Sequence, residues 1–170
     1  FSYMDLIVSS ISSFIIIHFL DYSNVGIYSL GQKIALIVTI PLSILGNIYI
    51  QIFNKGVYNK NKQLLFNLNI FVSLFILVSI IIGFLLTLQS ENIILILSDR
   101  EYLQAKTILP ILIISNVLVS ITNITNFRLL HKQENNFLFK LWTVLLCTYF
   151  LLSILFTSKF GLIGTVSAFL

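Results

Sequence analysis

Long apolar stretches without charge alternate with short polar connections along the whole chain. One of these stretches, Thr107 to Phe127, is about as long as a helix that crosses the roughly 30 Å of hydrocarbon in a bilayer. The same reasoning predicts five complete transmembrane helices and part of a sixth, with bounds near 1–20, 27–53, 64–88, 107–129, 138–157 and 161–170. The pattern therefore predicts an all-α, polytopic helical bundle, with residues 1–170 as a single transmembrane domain.

The predicted helix over 107–129 carries polar side chains along one face. Asn116, Ser120 and Asn123 follow each other at spacings of four and three residues. Lipid offers these amides and hydroxyls no hydrogen-bond partner, so we expect the face to turn toward other helices or a wet cavity. Pro110 is expected in the first turns of this helix, where an unpaired backbone N–H is normal.

A second polar strip follows the predicted helix over 27–53. Its members are spaced by seven, four, four and four residues: Gln32, Thr39, Ser43, Asn47 and Gln51. Pro41 lies within the same helix and predicts a kink there. Such strips either hold helices together or line a pathway, and we favour a hydrated cavity because three of the predicted helices share the pattern.

The first and third helices differ in polarity. The first carries Asp5, Ser9, Ser12 and Ser13 on one side. Asp5 is either a carboxylate that binds a coupling proton or cation, or an interfacial residue. The helix over 64–88 has little polarity after its first turns, so we expect it to face lipid more than the others.

Composition supports a membrane protein and gives little sign of catalysis. Hydrophobic residues make up 58% of the chain, charged residues make up 9%, and the mean hydropathy is +1.01, whereas soluble domains have about 25% charged residues. Cys147 is the sole cysteine, which excludes an internal disulfide. His18 and His131 fall at opposite ends of different predicted helices, and carboxylates are not paired at acid–base or metal spacing. We therefore expect no enzyme activity, no metal and no cofactor.

The small positive charge predicts orientation in the membrane rather than nucleic-acid binding. The net charge of +4 is concentrated at the ends of the helices. By the positive-inside rule, the side with more basic residues is cytoplasmic. In alternating topology that side carries Lys55, Lys60 and Lys62 after the second helix, with Arg128, Lys132 and Lys140 around the loop after the fourth.

Two basic residues are candidates for contact with an anionic substrate. Lys33, near the outer end of the second helix, either faces a cavity, where it attracts a group such as a pyrophosphate, or extends to the membrane surface. Arg128 either anchors the fourth helix at the cytoplasmic surface or meets a phosphate that enters from that side.

Three stretches resemble the C-terminal half of bacterial polysaccharide and O-antigen flippases, which belong to the multidrug and oligosaccharidyl-lipid exporter superfamily. They are VGIYSLGQKIALIVTIPLSIL (25–45), ILSDREYLQAKTILPILIIS (96–115) and KFGLIGTVSAF (159–169). They occur in order along nearly the whole chain, and they would make it helices seven to twelve of the family. Because the sequence opens on Phe1 and ends within an apolar run, we also expect it to be a fragment of a longer protein.

The resemblance implies one lobe of a two-lobe, alternating-access transporter in the bacterial inner membrane. The implied activity is translocation of undecaprenyl-pyrophosphate-linked oligosaccharide repeat units for O-antigen or capsular polysaccharide. The implied partners are that lipid-linked oligosaccharide, membrane lipids, and the polysaccharide polymerase and chain-length machinery. A multidrug exporter of the same superfamily and a membrane-embedded polysaccharide polymerase are the alternatives.

Overall fold

The fold, taken from a computed structural model, is entirely helical in the part that the structure describes. That part comprises the backbone of residues 3–131 and 135–168, with the side chains of 7–46, 48–126 and 136–168. Its helices are α1 (Tyr3–Phe19), α2 (Tyr22–Leu36), α3 (Thr39–Tyr58), α4 (Lys62–Leu88), α5 (Ser90–Leu97), a 3₁₀ helix (Arg100–Gln104), α6 (Ala105–His131) and α7 (Asn135–Ser167).

Three helical stretches among the described residues are long and apolar enough to cross a membrane: Lys62–Leu88, Arg100–Asn126 and Asn136–Ser167. The pair α2 and α3, bent by 54°, would make a fourth if it crosses as one unit. A shorter apolar helix covers Ile7–Phe19 in α1. The predicted all-α class is confirmed for the described residues, and the three apolar helices agree with a membrane protein. The count of five complete spans stays a prediction.

The predicted helix over 27–53 is broken between α2 and α3, a few residues before Pro41. The Val38 amide donates to the Ala35 carbonyl, three residues back, at 3.2 Å. A proline ring clashes with the carbonyl four residues before it, which here belongs to Ile37. The bend therefore lies at 37–38, upstream of the proline that the sequence analysis identified as its position.

Pro110 is the sixth residue of α6 and lies in its first two turns, as expected, but not among the positions whose N–H is normally unpaired. Only the first four N–H groups of a helix lack a partner within the helix. At this position proline instead deprives the Lys106 carbonyl of its usual donor. The 3₁₀ helix directly before α6 extends the helical path toward Arg100.

Polar turns start α2 and α4 at the residues that helix capping favours. The Asp21 carboxylate accepts the Asn24 amide at 2.9 Å, and the Asn61 side chain accepts the Leu64 amide at 3.0 Å. Before Asn61, the left-handed Lys60 (φ 51°) ends α3, a conformation common after helix C-termini. These caps fix the short connections on both sides of the bent pair.

Helix α6 lies at the centre of the bundle, where it packs against α2, α3, α4 and α7. The main core joins α2 and α6, and its buried members include Ile34, Ala35, Ile108, Leu109 and Leu112. Tyr102 of the 3₁₀ helix packs on the same core, so two of the stretches that carry the family resemblance lie together. A second core, formed mainly by α3 and α4, contains Leu42, Leu45, Tyr49, Leu68 and, from α6, Ile124.

Two glycines serve different structural purposes. At Gly83 in α4, an added Cβ would lie 2.6 Å from Cγ2 of Ile113, so the missing side chain allows α4 to approach α6. Gly161 has φ 60° and ψ −139°, a conformation that interrupts α7 and that glycine adopts without steric cost. The interruption falls at the residue where the sixth predicted segment begins.

Candidate functional site

An amide pair joins α2 to α6 inside the bundle. Gln32 Nε2 donates to Asn116 Oδ1 at 3.3 Å, and Asn116 Nδ2 donates to Gln32 Oε1 at 3.4 Å. Asn116 Nδ2 also donates to the Leu112 carbonyl at 2.8 Å, and its side chain is buried. The two longer bonds are reciprocal, so each amide presents the donor and the acceptor that the other needs.

Asn116, Ser120 and Asn123 form the polar strip on α6 (the α6 strip). Its other two members continue toward the end of the helix on the same face. The Ser120 hydroxyl donates to the Asn116 carbonyl at 2.8 Å, and both Ser120 and Asn123 are half-buried. The α6 strip therefore lies mainly on the side of the helix that packs against its neighbours.

The second strip, whose members on α3 are Thr39, Ser43, Asn47 and Gln51 (the α3 strip), lies differently. The Thr39 hydroxyl is buried and donates to the Leu36 carbonyl at 2.7 Å. Further along, Ser43 and Gln51 are exposed, and the Ser43 hydroxyl donates to the Ile40 carbonyl at 2.8 Å. Ser43 and Gln51 therefore face away from the bundle, whereas Thr39 does not.

Lys33 lies on the exposed side of α2, although its neighbour Gln32 pairs with α6. Successive helical residues are separated by about 100°, so the residue after a partly buried one readily points outward. The structure thus brings Gln32 and Asn116 together and leaves Lys33 on the open surface. Three predicted site residues, Asp5, Asn47 and Arg128, have side chains outside the described ones.

The sequence analysis missed a buried pair of hydroxyls between α1 and α7. Ser12 Oγ and the Tyr149 hydroxyl are 2.6 Å apart. Ser153, one turn after Tyr149, is fully buried. The contact between Ser12 and Tyr149 joins two helices through polar atoms within an apolar interior.

The hydroxyls continue across the interruption of α7. Thr157 Oγ1 and Thr165 Oγ1 lie 2.7 Å apart, although eight residues separate them, because the chain turns back at Gly161. Tyr149, Ser153 and Thr157 recur at intervals of four residues. That spacing was the signal available in the sequence for a polar face on α7.

An ion pair lies at the opposite end of α6 from Arg128. Lys106 Nζ donates to Glu91 Oε2 at 2.8 Å, with both side chains about half exposed. This hydrogen bond, together with the lysine charge, lowers the pKa of the Glu91 carboxyl below its ordinary value. The ion pair links α5 to the beginning of α6.

Protein-family models, curated proteins and solved structures were all compared with this chain, and none matches it. Within the described residues, no three His, Cys, Asp or Glu side chains come close enough together to hold a metal ion. The candidate site is therefore defined by its own chemistry, which consists of uncharged hydrogen-bonding groups and one exposed cation.

Proposed function

We propose that this chain is one lobe of a bacterial inner-membrane flippase that translocates undecaprenyl-pyrophosphate-linked oligosaccharide repeat units for O-antigen or capsular polysaccharide. In this proposal the chain supplies five complete spans and part of a sixth, and the second span is the bent pair α2 and α3. The observation that carries the proposal is that Ser43 and Gln51 of the α3 strip are exposed, as is Lys33 of α2.

The exposed part of the α3 strip suits contact with a sugar. Hydrocarbon would leave the Gln51 amide without partners, at a cost of roughly 1–3 kcal/mol, whereas a hydrated cavity would satisfy it. An oligosaccharide presents many hydroxyls, and Ser43 and Gln51 supply both donors and acceptors to them. A face of this kind supports passage of a polar head group past an otherwise apolar helix.

Lys33 supplies the charge that a diphosphate requires. Its ammonium group is a compact cation on a flexible chain, and charge-assisted hydrogen bonds to phosphate oxygens are about twice as strong as neutral ones. The pairing of Gln32 with Asn116 fixes the rotation of α2 about its axis. It thereby holds Lys33 on the side of α2 that is open to a substrate.

The test is genetic and uses the whole gene that encodes this chain. Deletion in the host should abolish surface polysaccharide and cause lipid-linked repeat units to accumulate in the cytoplasmic leaflet, and the intact gene should restore both. Lys33→Gln should lower the rate of export by about ten-fold or more, because a charged hydrogen bond to phosphate is lost. Lys159→Gln, which removes another exposed lysine, is the matched control and should export normally.

Each other outcome overturns the proposal. Unchanged polymer and an unchanged pool of repeat units would exclude flipping. Repeat units that reach the outer leaflet but stay unpolymerised would identify a polymerase instead. Resistance to cationic drugs that depends on the gene, with normal polysaccharide, would identify a drug exporter.

A further inference from the structure

An open cleft lies where α3 ends and α4 begins. Its volume is about 460 Å³. The residues that line it divide into a polar group, Lys55, Asn61, Gln63 and Asn67, and an apolar group that includes Leu68 and Phe71. The cleft therefore has hydrogen-bonding groups beside an apolar surface, and none of its lining residues belongs to the polar strips described above.

The polar groups of the cleft favour an anion. Asn61 uses its side-chain oxygen to cap α4, because that oxygen accepts the Leu64 amide at 3.0 Å. Its NH₂ group remains as a donor, and Gln63 and Asn67 carry the same donor group. Lys55 adds an ammonium group with donors only. A phosphate oxygen matches this set of groups.

The charge around the cleft has a single sign. Lys55, Lys60 and Lys62 lie within eight residues of each other, and the chain has no acidic residue between Asp21 and Glu91. All three lysines are exposed. The local charge of the connection between α3 and α4 is thus close to +3, and no carboxylate on either helix offsets it. This potential attracts anions and repels cations.

The apolar part of the cleft indicates that the anion carries hydrocarbon. Leu68 directly follows Asn67 on α4, and Phe71 lies one turn beyond Asn67. On the same face, the exposed surface of α4 continues as large apolar side chains, among them Leu74, Val78, Ile81 and Leu85. A free phosphate or a nucleic acid would leave that surface uncovered, whereas acyl chains would cover it.

We propose that this cleft binds the phosphate head group of one anionic phospholipid, whose acyl chains lie along α4. By the positive-inside rule the lysines are cytoplasmic, and anionic lipids on that side attract basic groups next to the membrane. The site lies apart from the polar strips. Lipid binding at this site goes beyond the proposed function, and it can be tested independently of that function.

The test measures which lipids stay bound to the purified full chain. The protein is released from detergent in the gas phase, and retained phosphatidylglycerol and phosphatidylcholine are counted by native mass spectrometry. We expect one retained phosphatidylglycerol for each chain and no matching retention of phosphatidylcholine. Lys55→Gln should lower retention of phosphatidylglycerol about five-fold, whereas Lys159→Gln, at the far end of α7, should leave it unchanged.

A second variant and a competitor make the outcomes decisive. Asn67→Leu removes a polar group of the cleft but keeps its size, so it should also reduce retention, with helicity by circular dichroism unchanged. Equal retention of both lipids, or equal retention by wild type, Lys55→Gln and Asn67→Leu, would overturn the proposal. Displacement of phosphatidylglycerol by equimolar undecaprenyl diphosphate would also overturn it, because the cleft would then belong to a transported substrate.

Discussion

Helix α4 and the segment Arg100–Asn126, most of which is α6, are equally long but differ in how much of each is buried in the bundle. In each, 27 residues pass as a candidate membrane span, yet 11% of the most apolar window is buried in the first and 44% in the second. The more apolar helix is the more exposed one. In lipid, apolar side chains gain little from leaving their surroundings, so burial follows polar groups and close packing instead.

The buried residues of α4 illustrate the same rule. They are Leu68, Ser79 and Gly83, two of which are small. The central helix, by contrast, buries Ser115 and Asn116 with its large apolar residues. The expectation that the 64–88 helix would be the most exposed is thus confirmed among the three candidate spans. Substitutions at the few positions where α4 and α6 touch should therefore lower the free energy of unfolding more than substitutions on the exposed surface of α4.

The largest effect is expected for Gly83→Val, which would break the close approach of α4 to α6. The first added carbon would clash with Ile113, a stiff β-branched residue that cannot easily move aside. We expect the free energy of unfolding in mixed micelles to fall by about 2 kcal/mol. Ile80→Phe adds volume at an exposed position of α4 and should change it by less than about 0.5 kcal/mol. Equal effects of the two variants would contradict the close contact.

A smaller effect is expected for Asn116→Leu, which would make α6 more like α4. Because the Gln32 amide would lose its partner, we expect the free energy of unfolding to fall by about 1 kcal/mol. Adding Gln32→Leu to Asn116→Leu should then lower the free energy of unfolding little further. A double-mutant cycle therefore measures the interaction between the two amides. Asn67→Leu, on the exposed surface of α4, is the control. Strictly additive effects of the two α2–α6 substitutions would show that the amides do not interact.

The smallest effect concerns the ion pair that joins α5 to the start of α6. Since the pKa of Glu91 is lowered in the folded state, the pair stabilises the fold above the ordinary glutamate pKa, and the effect disappears as the pH falls through the lowered value. Glu91→Gln should therefore have a slightly lower melting temperature than wild type near neutral pH. The two should converge under acid conditions and at roughly 1 M salt. A constant difference at all pH values would exclude the ion pair as its cause.

How far the sequence predicted this structure depends on the kind of residue. Long apolar runs predicted where the helices are, because nothing but a helix satisfies the backbone there. The two polar strips looked alike in sequence, yet Asn116 is buried and Gln51 is exposed. Spacing shows which residues share a face, whereas packing against other helices decides where that face points.

Hydroxyl groups were harder to interpret than amides. A serine or threonine in a helix can satisfy its own hydroxyl, as Ser43 does with the Ile40 carbonyl, so its presence does not require a partner. Tyr149 and Ser12 are 137 residues apart, and only the tertiary fold brings them together. The position of the bend was missed for a local reason, since the steric effect of Pro41 acts on the preceding turn.

The bend between α2 and α3 also solves a problem of length. A straight helix from Tyr22 to Tyr58 would measure about 55 Å, far longer than the roughly 30 Å of hydrocarbon. If the pair crosses as one unit with α3 along the membrane normal, α2 is inclined by 54° and the pair would span about 43 Å in depth. That depth equals the thickness of a bilayer with its head-group layers, so both ends of the pair would then reach water.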